Sequence, residues 1–282
     1  MVGLQVEIKS QLNMSKLKVS PNIKSQTIVE VTPDAAGFKY VGFKVVQLDD
    51  NQSLSYVDQS QESCLTILSG IVDAKIGDQT HEKLGSRVTV FDPVSPTAIY
   101  LPPGQEVSLT GRGHVEIAIS TASATGKYPA RIILPEQMTR TVRGSGTNTR
   151  YVCDILPESA EAESLLVVEV ITPSSHSSSY PPHKHDTTSE TETFLEETYF
   201  HMLNPPQGYA FQRVYTDDLS LNETLLLEDR DTVLVPRGYH PCTVPHGYEL
   251  YYLNTMAGPE RRWAFTNDPA HDWLAPKPVG TK

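Results

Sequence analysis

Apolar and polar positions alternate along this chain in short stretches broken by turn residues, and no long stretch repeats with the period of a helix. In the first half the runs are KYVGFKVVQL (39–48), CLTIL (64–68), IVDAKI (71–76), RVTVF (87–91) and HVEIAIS (114–120). In the second they are SLLVVEVIT (164–172), EETYFHML (196–203), FQRVYT (211–216), DTVLV (231–235) and YELYYLN (248–254). They are rich in Val, Ile, Tyr and Phe, and several alternate with period two, which puts one apolar face on a sheet. The 21 prolines and 17 glycines spread between them serve as punctuation. The pattern predicts an all-β protein built as a sandwich or barrel.

An internal repeat makes that two tandem β-barrels or sandwiches. Residues 99–120, IYLPPGQEVSLTGRGHVEIAIS, lie over 233–254, VLVPRGYHPCTVPHGYELYYLN, without a gap. Pro102 falls on Pro236, Gly104 on Gly238 and Gly113 on Gly247. Duplication of one β-domain accounts for this. The expected division is an amino-terminal domain over 1–125, a connector over 126–155 and a carboxy-terminal domain over 156–282. The halves differ in chemistry: Glu106 falls on His240, and SYVDQSQES stands where the second half has PPHKHD. A metal site is expected in the second half alone.

With 282 residues the chain has room for two domains, and 38% hydrophobic residues suit a folded protein. A formal charge of −11 argues against nucleic-acid binding, which needs a basic face. The three cysteines contain no C-x-x-C pair and point to a reducing compartment. The opening run MVGLQVEIKSQLNMSK lacks the apolar core of a secretory leader, and no stretch approaches the ~18 apolar residues of a membrane span. A cytoplasmic protein without membrane contact is expected.

PPHKHD places His183 and His185 two apart, so on an extended segment both imidazoles face one way. Neutral imidazole suits Zn, Mn, Fe or Ni, and Glu190 or Glu197 could add a carboxylate. His240 follows the sharp PRGYH turn near a strand end. Lys184, between the paired histidines, must face the opposite way. Glu197 would share its strand face with Tyr199 and His201.

This constellation resembles the cupin superfamily: His-x-His, a spacer and Glu, then Pro-x-Gly, a spacer and His, all four side chains on one metal inside a β-barrel. Ser177 and Arg230 stand where that pattern usually has glycine, and the spacer before His240 is one residue short. The runs PPHKHD, EETYFHMLNPPQGYAFQRVYTDD, VLVPRGYHP, GYELYYLNTMAGPERRWAFTNDPAHDW and RGSGTNTR are similar to those of the 5-deoxy-glucuronate isomerases of inositol catabolism. In the related 4-deoxy-uronate isomerases the liganding Glu opens a Glu-x-Tyr-Phe strand, which matches EETYF. The resemblance therefore implies His183, His185, Glu197 and His240 as ligands of one divalent metal, zinc or manganese first and iron or nickel next. It also implies an aldose–ketose isomerisation of a uronate-type sugar acid, with no redox cofactor, by a homo-oligomer.

A substrate carboxylate calls for a cation, and Arg213 in FQRVYT is the candidate. The ungapped repeat lays Val115, Ile117 and Ile119 over Glu249, Tyr251 and Leu253. Tyr251 is thereby expected to face the second core as a donor or proton shuttle, with Tyr199 beside Glu197. Two rival readings belong to other classes: an Fe(II)-dependent cupin oxygenase and a non-catalytic sugar-binding cupin. Oxygen uptake would mark the first, and metal content followed by turnover of a uronate-like aldehyde would separate the second.

Overall fold

A computed structural model describes residues 15–275; of the opening run examined for a leader, only Ser15 and Lys16 fall within them. The chain folds into two antiparallel β-halves packed face to face. In the first, an eight-stranded sheet runs Thr27–Val31, Val41–Leu48, Val107–Ser123, Gln61–Ile76, Ala98–Leu101, Arg131–Ile133, with Ser53–Tyr56 and Gln79–Leu84 paired to its long central strands. In the second, a seven-stranded sheet runs Lys18–Val19, Thr232–Val235, Glu196–Asn204, Glu249–Ala257, Leu166–Thr172, Arg150–Leu156, Thr139–Arg143. A four-stranded sheet (Ser177–Ser178, Cys242–Thr243, Ala210–Tyr215, Asn222–Leu227) and the pair His183–Lys184 with Thr266–Asn267 complete the second half. Among the described residues no helix is long and apolar enough to cross a membrane.

The expected strands correspond closely, with two differences. CLTIL and IVDAKI belong to one strand, Gln61–Ile76, whose register shifts at Ser69. Gly70 permits the bend: its φ is +84°, and a Cβ there would come within 2.3 Å of the His114 carbonyl. RVTVF is not a strand. The Asp92 carboxylate accepts from the Val88 and Thr89 amides at 2.7 and 3.1 Å, which closes a turn and leaves Val88 86% exposed.

The stretch 126–155, expected as a connector, supplies Arg131–Ile133 to the first sheet and Thr139–Arg143 and most of Arg150–Leu156 to the second. Lys18–Val19 pairs with Thr232–Val235, so the amino-terminal end of the described chain hydrogen-bonds in the second half.

Strand alternation sorts side chains among three apolar clusters. Leu65, Ile67, Val115, Ile117 and Ile119 fill the first barrel. Leu250, Tyr252 and Met256 point into the second. Phe43, Ala118 and Ala122 meet Phe200, Tyr251, Leu253 and Ala257 in a cluster shared by both halves. Each large side chain buried there contributes about 1.5–3 kcal/mol, so the halves stabilise each other.

Buried polar groups lock that contact reciprocally. Glu196 accepts from the Lys39, Tyr40 and Val41 amides, and Glu62 from those of Glu163, Ser164 and Leu165. Arg87 meets Glu169 through two 2.8 Å bonds across the same boundary.

The register exposes a one-residue slip in the ungapped repeat. Ser63 pairs with Leu101 as Glu197 pairs with Val235, and Leu65 pairs with Ile119 as Tyr199 pairs with Asn254. Ile119 therefore corresponds to Asn254, not to Leu253. A slip of one residue exchanges the two faces of a strand. Tyr251 consequently lies in the shared core, and Tyr252 faces the second barrel.

Candidate metal centre

Three pieces of backbone bring the site together. The His183–Lys184 bridge to Thr266–Asn267 holds the paired histidines extended, and the His185 carbonyl accepts from the Leu195 amide at 2.9 Å. Glu197 sits on Glu196–Asn204, flanked on both sides by other strands, which fixes its direction. His240 follows a turn at Gly238, where φ is +87° and a Cβ would come within 2.3 Å of the Tyr215 carbonyl. The Gly238 amide donates to Asp186 at 2.8 Å, tying this turn to the histidine pair.

One ligand atom from each of His185, Glu197 and His240 lies within 4.8 Å of the others, and all three side chains are buried. Among the described residues this is the only such group of His, Cys, Asp or Glu. In His185 the Nδ1 donates to the Leu195 carbonyl at 3.0 Å, and in His240 to the Gly238 carbonyl at 2.9 Å. A carbonyl only accepts, so each Nδ1 carries a proton; the buried, neutral His240 therefore presents a bare Nε2 lone pair, while His185 Nε2 hydrogen-bonds Glu197 Oε2. Those Nε2 atoms lie 3.0 and 3.3 Å from Glu197 Oε2, and His240 Nε2 has no hydrogen-bond partner. The bare His240 lone pair facing a carboxylate oxygen is repelled unless a cation stands between them. The donor set therefore fits a divalent ion.

The electrostatics separate the three imidazoles. Burial, with the neighbouring imidazoles, pushes His240 and His183 down to about 3, so both stay neutral and able to ligate. Burial opposes charge at His185 too, but the Glu197 hydrogen bond and charge carry it above its ordinary value. On the other carboxylate oxygen, Glu197 accepts from the Asn254 amide.

His183 approaches from one side, its ring 4.9 Å from that of His240 and 6.3 Å from that of His185. A small, partly open cavity lies there, with room for about 40 Å³, lined by His183, Glu197, Tyr199, Tyr252, Asn254 and two arginines, Arg143 and Arg150, among others. Ser179 joins the Tyr199 hydroxyl at 2.9 Å, and Ser178 joins that of Tyr252 at 2.6 Å.

Other sequence candidates lie elsewhere. Glu190 is exposed, and Lys184 carries its ammonium to Asp186 and Glu192 at 2.7 and 3.2 Å. Arg213 is not in the cavity wall: it stacks 3.9 Å above the Tyr215 ring and bonds Asn222, because its strand turns that face outward. Tyr251 donates to Glu169 at 2.9 Å in the shared core. Sequence reasoning missed Tyr252 and Asn254, which the corrected repeat would have found. It also missed Arg143 and Arg150, which bracket the RGSGTNTR run already singled out.

The same register explains the empty chemistry of the first half. Ser63, Leu65, Ile67, Ile117 and Ile119 occupy the places of Glu197, Tyr199, His201, Tyr252 and Asn254. Apolar side chains fill that barrel, and no imidazole enters it.

Comparison with known proteins agrees with this picture. The chain is 46% identical over 273 residues to the 5-deoxy-glucuronate isomerase of Geobacillus kaustophilus, covering 95% of this chain and 99% of that one. It is 42% identical to the protein of that name from Bacillus subtilis strain 168, covering 91% and 95%. The crystal structure of an IolB-like protein from Salmonella typhimurium superimposes with a TM-score of 0.90 at 43% identity, covering 92% of this chain and 99% of that one. The oxalate decarboxylase of Lactobacillus farciminis, at 11% identity and a TM-score of 0.62, covering 94% and 92%, shares the fold. The all-β, two-barrel architecture is thus of the cupin type, as the sequence predicts. With the KduI/IolB family profile matching residues 15–274, the chain belongs to that family.

Proposed function

We propose that this chain is a metal-dependent isomerase, converting 5-deoxy-D-glucuronate to 5-dehydro-2-deoxy-D-gluconate during myo-inositol breakdown in the cytoplasm. The observation that carries this reading is the end-to-end match to relatives named 5-deoxy-glucuronate isomerase, 46% identical over 99% of the Geobacillus protein's length. His183, His185, Glu197 and His240 are the proposed ligands, with zinc or manganese the proposed ion. Such an ion supplies Lewis acidity to a carbonyl and its neighbouring hydroxyl.

The reaction removes a proton from the carbon beside an aldehyde and returns one to the former aldehyde carbon, through an enediolate. The chain's own groups suit that task. Carbonyl bonds at Nδ1 and the Asn254 amide hold the imidazoles and Glu197 in fixed orientations. Burial raises the Tyr199 and Tyr252 phenols above their ordinary value, so both stay protonated and can donate from Oη to substrate oxygens. Val152, Val168 and Val170 supply the cavity's apolar wall.

Proton NMR of 5-deoxy-glucuronate with the metal-loaded protein in D2O tests the assignment. Expected are loss of the aldehyde-hydrate signal, growth of a hydroxymethyl ketone and no oxygen consumption. Oxygen uptake in step with substrate loss, or no ketone at all, would contradict it.

A further inference from the structure

The hairpin of Thr139–Arg143 and Arg150–Leu156 has a feature that its own packing does not explain. Arg143 and Arg150 are direct cross-strand partners, and like charges so placed repel. Both line the cavity that reaches Glu197 and His183. Arg143 has the Asp154 carboxylate at 3.6 Å and lies 5.2 Å from the centre of the Trp263 ring. Arg150 bonds the Asn148 carbonyl and side-chain oxygens at 3.1 Å each, and among the described residues it makes no ion pair. Trp263 lines the same cavity, and its buried Nε1 has no hydrogen-bond partner.

The loop between the arginines is built to hold them there. At Gly144, φ is +79° and a Cβ would come within 2.0 Å of the Asn148 carbonyl and 2.8 Å of Arg150 Nη1. Only glycine lets the loop close this tightly against the guanidinium. Asn148 Nδ2 donates to the Tyr180 carbonyl at 2.8 Å, fastening the loop to the segment that leads into His183.

An acidic chain, −11 overall, thus presents two cross-strand arginines beside its candidate metal centre. We infer that Arg143 and Arg150 bind the substrate's carboxylate, orienting its carbonyl end toward His185, Glu197 and His240. The inference rests on the isomerase reading for the substrate's identity. Two guanidinium forks match a carboxylate, and an anion between them relieves their mutual repulsion. They would select a sugar acid over a neutral sugar and draw it in against the overall charge.

The test compares the metal-loaded wild type with Arg143→Gln, Arg150→Gln and the Lys variants. Bound metal, kcat and KM are measured with 5-deoxy-glucuronate and with 5-deoxy-glucose, its neutral counterpart. Calorimetry with D-glucuronate and D-glucose reports binding without turnover. Each Gln variant is expected to keep its metal, raise KM for the acid about 30-fold and leave the neutral sugar within about two-fold, as loss of a charge-assisted bond implies. The Lys variants should recover part of the loss. Gln variants whose acid KM and D-glucuronate affinity stay within about two-fold of wild type would overturn the inference. If the wild type fails to isomerise yet prefers D-glucuronate to D-glucose through Arg150, the isomerase reading falls and the carboxylate site stands.

Discussion

Glu197 is the side chain on which the proposed metal site converges. Its Oε2 faces two imidazole nitrogens at 3.0 and 3.3 Å, and Asn254 holds its other oxygen. Glu197→Gln should lower metal affinity by at least about 10-fold and abolish turnover, whereas Glu190→Gln, on an exposed loop, should change neither. Elemental analysis and a turnover assay read both. Tyr251 and Tyr252 form the second contrast. Tyr251→Phe removes a buried bond to Glu169 and should cost about 1–3 kcal/mol in urea unfolding with KM unchanged. Tyr252→Phe, in the cavity wall, should lower kcat while the metal stays bound. His185 and His240, which cluster with Glu197, stood out because H-x-H and PRGYH are local patterns, whereas the choice of Glu197 over Glu190 came from the family resemblance of EETYF. Which tyrosine faced the site was not legible, because it depends on a one-residue slip between two strands that only pairing reveals.

At the scale of elements, alternation was a reliable guide wherever a strand has one face in a barrel and the other in the shared core. It failed at RVTVF, where the side-chain bonds of Asp92 outweigh an alternating pattern. It was silent on Thr139–Arg143, whose residues are mostly exposed and carry no apolar face to detect. The reciprocal carboxylates Glu62 and Glu196 were also illegible, since their partners are backbone amides more than a hundred residues away in sequence. Glu62→Gln should destabilise the chain by about 1–3 kcal/mol, because an amide nitrogen would then face N–H donors. Metal content should stay the same, since Glu62 lies in the half that holds none of the candidate ligands. Urea titration with elemental analysis checks both parts.

Across the whole molecule, two similar halves have divided their labour: one barrel is filled with aliphatic side chains, and the other keeps a polar cavity. Stability should carry the mark of that cavity through His201, buried beneath it and bonded to Gln212 at 2.9 Å. Burial pushes His201 down to about 4, against ~6.5 in an unfolded chain. Below ~6.5 the unfolded state takes up the proton first, so this contribution is full above ~6.5 and is lost as pH falls toward 4. His201→Gln should therefore flatten the acid limb of the urea midpoint between those values, by up to ~1.4 kcal/mol per pH unit. The central claim, a single catalytic ion held by the buried histidines and Glu197, is tested most directly by titrating Mn²⁺ or Zn²⁺ into chelator-stripped protein while following 5-deoxy-glucuronate turnover. The account predicts no turnover in the stripped protein and activity rising to a plateau at one ion per chain, with no recovery in His240→Ala. Full turnover by the stripped protein, or a plateau at two ions per chain, would contradict it.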